Sequence, residues 1–592
     1  MIGRRRNPEP PVAARHRAGR DHGVADPRSR MRISVTIAIL ISAASVGHSA
    51  WAQSTAAPTT VEPDKVEKRI DAPRTTRPAQ KQPASPAAPT TAPTTPPAGR
   101  FVLGAVEISG TSAYPAGTFA EVYEPHLARE VSVEDVRAMA MAITDRYRRD
   151  GYFLSRAVVE PQDLALGILH IRVVEGVLAE VAFDGDVKHQ RADLEALAKG
   201  ITRSTPTQIG DVERYVLLMN DLPGVTVKSA VKAIDEEKGQ YRLVIGVDFK
   251  RRESYASLDN RGTRAIGHFQ ALVGSNFNAL VSGDDQTRVT LFTVPNQPQE
   301  LLFGELSHSR NIGDEGTRVR ATVSHSEIDA GTPFAKINLG SRSTHASIRV
   351  YHPVVRRQRR NLWIHGQFDF INQRQDQLDV RTFDDRLRVV RWGANYDLED
   401  DLDGYNTGGV EVSHGVDILG ATGEDSADAS RTGGQASFTK YTARLGRRQV
   451  ISDTWAVEAH VAGQKSNVRL LSAEEFFLGG VGFGRAYDSG ELAGGDGAAG
   501  SVELQYGRFI SWPWLNSYQV YGFYDWGIVW DSVNSDFVGH ETLASAGGGI
   551  RLGFTDALFG GVEVAKPLTR PVANINDKAT DPRVFFYLTG DF

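Results

Sequence analysis

The sequence contains no cysteine in 592 residues. That excludes disulfides, thiolate metal sites and cysteine nucleophiles together. Long apolar runs are missing as well. Beyond the N-terminal leader no stretch reaches the roughly 18 apolar residues of a membrane-spanning helix, which argues against a helical membrane protein. A β-barrel is untouched by this, because its strands alternate. A formal charge of −5 gives no basic field for nucleic acid. No phosphate loop ending in Gly-Lys-Ser/Thr, no His-Glu-x-x-His and no Cys-rich set occurs. No catalytic set, cofactor site or metal site is therefore expected. The histidines are scattered, and His308 and His325 fall within alternating segments, where they read as satisfied or solvated.

What is present is ordered along the chain. Residues 1–52 read as leader and signal peptide. Arg32 follows Met31, residues 33–46 are apolar, and Ala50-Trp51-Ala52 is a small-x-small cleavage site before Gln53. Met31 is the expected true start. Residues 53–99 are rich in Pro, Thr and Ala and read as an extended linker. Within it, only residues 64–70 offer a turn or two of helix. Residues 100–176 and 177–250 read as two small α/β domains. In the first, "FVLGAVEISG" alternates as one strand, Ser132 caps a helix with Glu134 and Asp135 in its first turn, and "GILHIRVVEG" is a strand again. Val136, Met139, Ile143 and Tyr147 recur at helical spacing. In the second, "LAEVAFDGD" is a strand, "DVERYVLLMNDLPG" a helix and "QYRLVIGVDF" a closing strand.

From residue 251 to 592 helical periodicity disappears. Segments of about ten residues alternate apolar and polar between Gly, Asp and Asn turns, as in "LWIHGQFDFI" and "SVELQYGRFI". At roughly 20 residues per strand and connection this gives about 16 strands. The fold class is thus mostly β: a C-terminal transmembrane antiparallel barrel preceded by two α/β domains. In "YQVYGFYDWGIVW", Tyr518, Val520, Gly522, Tyr524, Trp526, Ile528 and Trp530 share the lipid face. Gln519, Tyr521, Phe523, Asp525, Gly527 and Val529 share the lumen face, which carries the only charge. In the last strand Val584, Phe586, Leu588 and Phe592 face outward, and Arg583, Tyr587, Thr589 and Asp591 inward. "DLEDDLDG" (397–404) lacks the late glutamate of a calcium loop and reads as an acidic barrel loop. "RRQRR" (356–360) reads as a solvated turn, with anionic headgroups as the partner on offer.

One stretch fits none of these patterns. "EEFFLGGVGFGRAY" interleaves Phe476, Phe477, Leu478 and Phe483 with Gly479, Gly480, Gly482 and Gly484. Its glycines do not have the dinucleotide spacing. A flexible tip is the competing reading, but solvated tips are polar. Apolar residues between glycines suggest a loop, 474–497, that folds back into the lumen. Arg485 then needs a buried acid, and Asp525, one hairpin later, is the candidate for a bidentate pair.

These residues, in order, resemble the transporter component of two-partner secretion systems, the haemolysin and filamentous-haemagglutinin secretion/activation proteins. The resemblance covers residues 100–592. "YFLSRAVVEPQDLALGILHIRVVEG", with Pro161, Gln162, Glu175 and Gly176, is similar to the family's first polypeptide-transport-associated (POTRA) domain, and "LLMNDLPGVTVKSAV" to the second. "SLDNRGTRAIGHFQ", with Asp259, Asn260, Gly262 and Gly267, resembles the opening barrel strand. "FFLGGVGFGRAY" resembles the lumenal loop, with Gly479, Gly480, Gly484 and Tyr487 around Arg485. "GFYDWG" resembles the strand motif Phe-x-Asp-x-Gly, as Phe523, Asp525 and Gly527. The resemblance implies an outer-membrane protein of a Gram-negative bacterium. It implies periplasmic POTRA domains that capture an unfolded exoprotein and a barrel that passes it outward, gated by an Arg485–Asp525 lock. The implied partners are that exoprotein, outer-membrane lipid with lipopolysaccharide, and the barrel-assembly machinery during biogenesis. An assembly or insertion factor of the same superfamily is the alternative; a diffusion porin leaves the POTRA domains without a purpose. The sequence departs from the family in two places. Ala486 follows the arginine where the family has glycine, and residues 64–70 are too short a piece for the family's plug helix to be expected.

Overall fold

The computed structural model describes residues 62, 65, 100–185, 187–533, 536–573 and 580–592. The leader, the signal peptide and most of the linker lie outside the described residues.

Two sheets of the same topology follow one another. Ala105–Ser109 lies parallel to Ile168–Val174, which pairs on its other side, antiparallel, with Arg156–Val158. Val177–Asp184 likewise lies parallel to Gln240–Phe249, whose other neighbour is the antiparallel Val225–Asp235. Parallel neighbours require a long crossover. The helix Val133–Arg149 provides it in the first domain, and Arg191–Ile201 with Ile209–Asn220 in the second. Ser132 closes a capping box with Asp135, and Val136, Met139, Ile143 and Tyr147 are buried against the sheet.

Two expectations need correction here. Residues 101–110 are not one strand: Arg100–Val102 pairs with Glu130–Ser132, and the chain then changes sheets. The break falls at Leu103, which is fully buried and bonds by its amide to the Arg129 carbonyl, while Gly104 bonds to that of Gly167. The helix Arg191–Ile201 was not expected. Its signal is present, since Leu194, Leu197, Ala198 and Ile201 are its buried face at offsets of three, four and seven.

The end of the first domain explains two of the selected residues. Glu175 accepts hydrogen bonds from the Ser112 amide (2.8 Å), the Ala113 amide (2.9 Å), the Tyr147 hydroxyl (2.8 Å) and the Ser112 hydroxyl. Burial alone would raise its carboxyl; the Ser112 hydroxyl and the other donors outweigh that and hold it below the usual carboxylate range. A Cβ on Gly176 would stand 2.3 Å from that of Leu154, so the chain turns where only glycine fits. Gln162 acts at the sheet edge. Its side-chain amide accepts from the His170 amide (2.7 Å) and donates to the His170 carbonyl (2.8 Å), in place of a strand residue. Pro161 beside it is exposed. Glu175→Ala should destabilise this domain by about 3 kcal/mol, because it orphans the Tyr147 hydroxyl along with two amides. Limited proteolysis of the full chain should then cut within 101–176 and spare the barrel. A group with a lowered folded pKa stabilises above its unfolded pKa, and that contribution is lost as pH falls through the folded value. Acid below the usual carboxylate range should therefore mimic the substitution, and mild acid should not.

Residues 252–592 close into an antiparallel barrel of 16 strands, running from Arg252–Asp259 to Arg583–Asp591. Burial follows the two-residue period. Along Leu515–Val533, Gln519, Tyr521, Phe523, Asp525, Gly527 and Val529 are buried, while Val520, Tyr524 and Trp526 are exposed to the outside. Strand length is uneven around the wall. The strands beside the closure have 8 to 10 residues, as in Arg252–Asp259 (8) and Leu558–Pro567 (10). Across the barrel Arg360–Gln377 has 18 and Val380–Glu399 has 20.

Closure itself is brief. Backbone pairing of the last strand with the first runs from Asp591 opposite Tyr255 to Tyr587 opposite Asp259. Phe592, the C-terminal residue, adds two bonds with Ser254, both 2.8 Å. Asn260 then replaces a strand: its side chain donates to the Val584 carbonyl (3.0 Å) and accepts from the Phe586 amide (2.7 Å).

The second α/β domain is seated on the turns at its end of the barrel. Arg356 binds Asp221 in a bidentate pair (2.8 and 2.7 Å), and the Gln358 amide donates to Glu213 (2.7 Å). Arg214 (3.0 Å) and the Tyr215 hydroxyl (2.6 Å) both reach Glu315. Within the run 356–360, Arg356 and Gln358 seat the domain, while Arg357, Arg359 and Arg360 are exposed as a solvated turn would have them. The acids at this seat come from a helix more than a hundred residues earlier. Asp400 in 397–404 does close a barrel turn, accepting the Leu402 and Gly404 amides at 3.0 Å each.

Candidate functional site: a loop held in the lumen

Residues 467–495 connect Trp455–Ser466 to Asp496–Trp512 at the end of the barrel away from the α/β domains. They do not stay outside. Phe476–Leu478 pairs with Leu492–Gly494 as a small hairpin, and the turn beyond it is buried against the inner wall.

Positive φ at four glycines, Gly490 (+75°) among them, shapes this turn. Gly479, Gly480 and Gly484 have φ of +105°, +80° and +92°. Their amides and carbonyls knit the turn: Gly479 donates to the Phe483 carbonyl (2.7 Å), Gly480 to Tyr487 (3.1 Å), and Tyr487 back to Gly484 (2.9 Å). Ala486 is fully buried and outside the left-handed region. The turn therefore has no need of glycine after the arginine, since Gly484 before it takes the positive φ.

Arg485 stands at the centre of a buried ion network. Its Nε donates to Asp525 at 3.1 Å, its Nη2 at 3.0 Å, and its own backbone amide at 2.9 Å. Ser501 (2.8 Å) and Ser545 (3.2 Å) donate hydroxyls to the same carboxylate, which is completely buried. The guanidinium lies 3.5 Å from the centroid of the Phe523 ring. Gly527 leaves room for the hairpin: a Cβ there would stand 2.5 Å from Leu478. Tyr487 reaches a third strand, donating to the Ala544 carbonyl at 3.2 Å.

The sequence reading missed half of this network. Arg485 Nη1 donates to Glu503 at 2.6 Å, and Glu503 also accepts from Arg551 at 2.6 and 3.1 Å. Glu503 lies on "SVELQYGRFI" with Ser501 and Gln505, opposite in parity to the exposed Val502 and Leu504. Alternation could have placed it in the lumen.

A second anchor holds the stem of the loop. Glu474 accepts from Arg391 (2.6 Å) on Val380–Glu399 and Lys440 (2.5 Å) on Thr439–Val450, and Arg391 also binds Asp369 (2.6 Å). Glu475 pairs with Arg431 at 3.0 Å. Of residues 64–70, the stretch where no plug helix was expected, only Lys65 falls within the described residues. Lys65 is helical and almost fully buried, and its Nζ donates to the Ser472 carbonyl at 2.9 Å. Part of the linker thus enters the lumen beside the stem. Nothing in its composition points there.

The first-strand motif lies at the closure. Asp259 accepts the Arg261 amide at 2.8 Å, and Asn260 makes the stitch described above. A Cβ on Gly262 would stand 1.7 Å from the Gly267 carbonyl oxygen, and Gly267 has φ +76°. Both glycines are needed for that tight return.

Comparison with known proteins gives the family and the fold. Residues 101–176 match the POTRA domain of ShlB type. Residues 244–552 match the haemolysin secretion/activation protein ShlB/FhaC/HecB, more than half of the chain. The heme/hemopexin transporter protein HuxB of Haemophilus influenzae is 24% identical over 466 residues, 77% of this chain and 81% of that one. The outer membrane transporter CdiB of Escherichia coli is 22% identical over 461 residues, 74% of each. The structure of CdiB from Escherichia coli has the same fold, with a TM-score of 0.68 at 20% identity over 91% of this chain and all of that one. That of CdiB from Acinetobacter baumannii gives 0.60 at 14%, again over 91% of this chain and all of that one. The chain belongs to the haemolysin secretion/activation family, the outer-membrane transporters of two-partner secretion.

Proposed function

We propose that this transporter takes an unfolded exoprotein from the periplasm by its POTRA domains and passes it through the barrel. In this reading the lumenal loop is the gate. The observation that carries the reading is the loop itself: a turn bearing Arg485 is fastened inside a closed barrel by a buried lock. A diffusion pore has no need of such a part.

Capture is attributed to a sheet edge. Val225–Asp235 pairs with Gln240–Phe249 on one side and with no strand on the other among the described residues. An unpaired edge can add an extended segment through backbone hydrogen bonds with little demand on its sequence. Lys228 and Lys232 lie along it, as charges that discourage self-pairing of folded copies. Export then needs a driving force without nucleotide, and folding of the exoprotein outside supplies one. Comparing culture medium with and without this gene tests the function. Deletion should remove one large exoprotein from the medium, and a plasmid copy should restore it. An unchanged set of secreted proteins would refute the proposal.

A further inference from the structure

The two strands that close the barrel each send an arginine inward, and both reach the same turn of the loop. Arg261, just after the first strand, donates by Nη1 to the carbonyl of Arg485 at 3.3 Å. Its Nη2 passes the last strand to reach Glu563 on the strand before it, at 2.6 Å. Arg583, at the start of the last strand, donates by Nη1 to the carbonyl of Ala486 at 2.9 Å and by Nη2 to Asp488 at 2.7 Å. Consecutive carbonyls of the loop are thus held from opposite sides of the closure. Phe585 lies between the two cations, 4.2 Å from the Arg261 guanidinium and 5.0 Å from that of Arg583.

Location gives these bonds their importance. Regular pairing across the closure ends at Asp259, and Asn260 alone continues it toward the outer end of the last strand. Beyond Asn260 the next link from the first strand is Arg261. These pairs are largely buried, with side chains of Arg261, Glu563, Arg583 and Asp488 at 12, 6, 16 and 3% exposure. They escape the screening that makes surface ion pairs weak.

We propose that the seated loop turn is a clasp across the barrel closure, so that unseating the loop also loosens the outer half of the seam. Loop and wall then move together. A loop drawn away from Asp525 takes the carbonyls of Arg485 and Ala486 from Arg261 and Arg583, and leaves the outer half to Asn260 and the Arg261–Glu563 pair.

Hydrogen exchange on the purified full-length protein in micelles tests this with no exoprotein present, so the outcome does not depend on the transport reading. Arg261→Gln with Arg583→Gln should speed exchange of amides in 254–260 and 583–592 by about tenfold or more, the scale of a lost charge-assisted bond. Amides of 360–377 and 380–399, on the opposite wall, should be unchanged, which controls for folding. Asp525→Ala should speed the same amides from the other end of the loop, by no more than the double variant, which also loses Arg261–Glu563, and the triple variant should add nothing to the double. Unchanged seam protection in either variant, or additive effects, would overturn the proposal. The absence of native cysteine permits an independent check. Leu258 and Leu588 are opposite each other across the seam. A Leu258→Cys, Leu588→Cys pair should form its disulfide readily in the otherwise native protein and poorly with Asp525→Ala. Equal yields would count against the clasp.

Discussion

Asp525→Ala should abolish export while a folded barrel still reaches the outer membrane. Asp525 takes three hydrogen bonds from Arg485 and two from serine hydroxyls in a site closed to solvent. Removing one partner of a buried pair costs roughly 3–5 kcal/mol, because the other charge stays behind unpaired. Glu503 remains beside Arg485 at 2.6 Å, which puts the loss near about 3 kcal/mol. That shifts the seated fraction of the loop by roughly a hundredfold. An unseated hairpin bearing Phe476, Phe477 and Phe483 has no fixed place in the lumen and lies across the path of the exoprotein. The wall survives, because the strand Leu515–Val533 keeps both of its ladders. The checks are exoprotein in the medium and the heat-modifiable mobility of the barrel on gels. Normal export by a variant with normal barrel levels would remove the lock from the mechanism.

Glu474→Ala should act in the opposite sense and open the resting channel. Glu474 is the common partner of Arg391 and Lys440, and it ties the stem of the loop to strands on the other side of the loop from Asp525. Its loss leaves Arg391 with Asp369 and leaves two buried cations with one fewer acid. The tip stays seated, since none of its bonds involve Glu474. The stem, with Lys65 resting on the Ser472 carbonyl, loses its tie to Arg391 and keeps Glu475–Arg431 and the bonds of the residue-474 carbonyl to Lys440 and Gln464. Planar-bilayer conductance should rise several-fold, on the scale of a lost charge-assisted bond. Cells should become sensitive to a bulky antibiotic that the intact outer membrane excludes. Unchanged conductance would show that the stem anchor has no part in gating.

The contrast between these anchors shows what the sequence could convey. Asp525 is legible because a strand has a period of two, and in its segment one charge falls on one face. Glu503 carries the same signal, which was available and unread. Glu474 carries none: it ends a single 3₁₀ turn, Ser472–Glu474, too short for any period to assign a face. Arg356 is a third case. Its run of cations is plain, but the acids that answer it belong to another domain, and local pattern holds no information on distant pairing. The break at Leu103 was hidden because an alternating segment looks the same whether its residues serve one sheet or two. Lys65 was hidden by composition, since a Pro- and Thr-rich linker gives no sign that one of its residues is buried.

The uneven strands of the wall bear on the membrane around it. A spanning strand needs about 9–11 residues for a hydrocarbon core about 30 Å thick. Val380–Glu399, with 20, exceeds this and can project beyond the bilayer, whereas Arg252–Asp259, with 8, falls short of it. Lipid beside the closure must thin to match, at a cost of a fraction of a kcal/mol per Å. The bilayer itself therefore presses hardest, through its own elasticity, on the side of the protein where the backbone holds least.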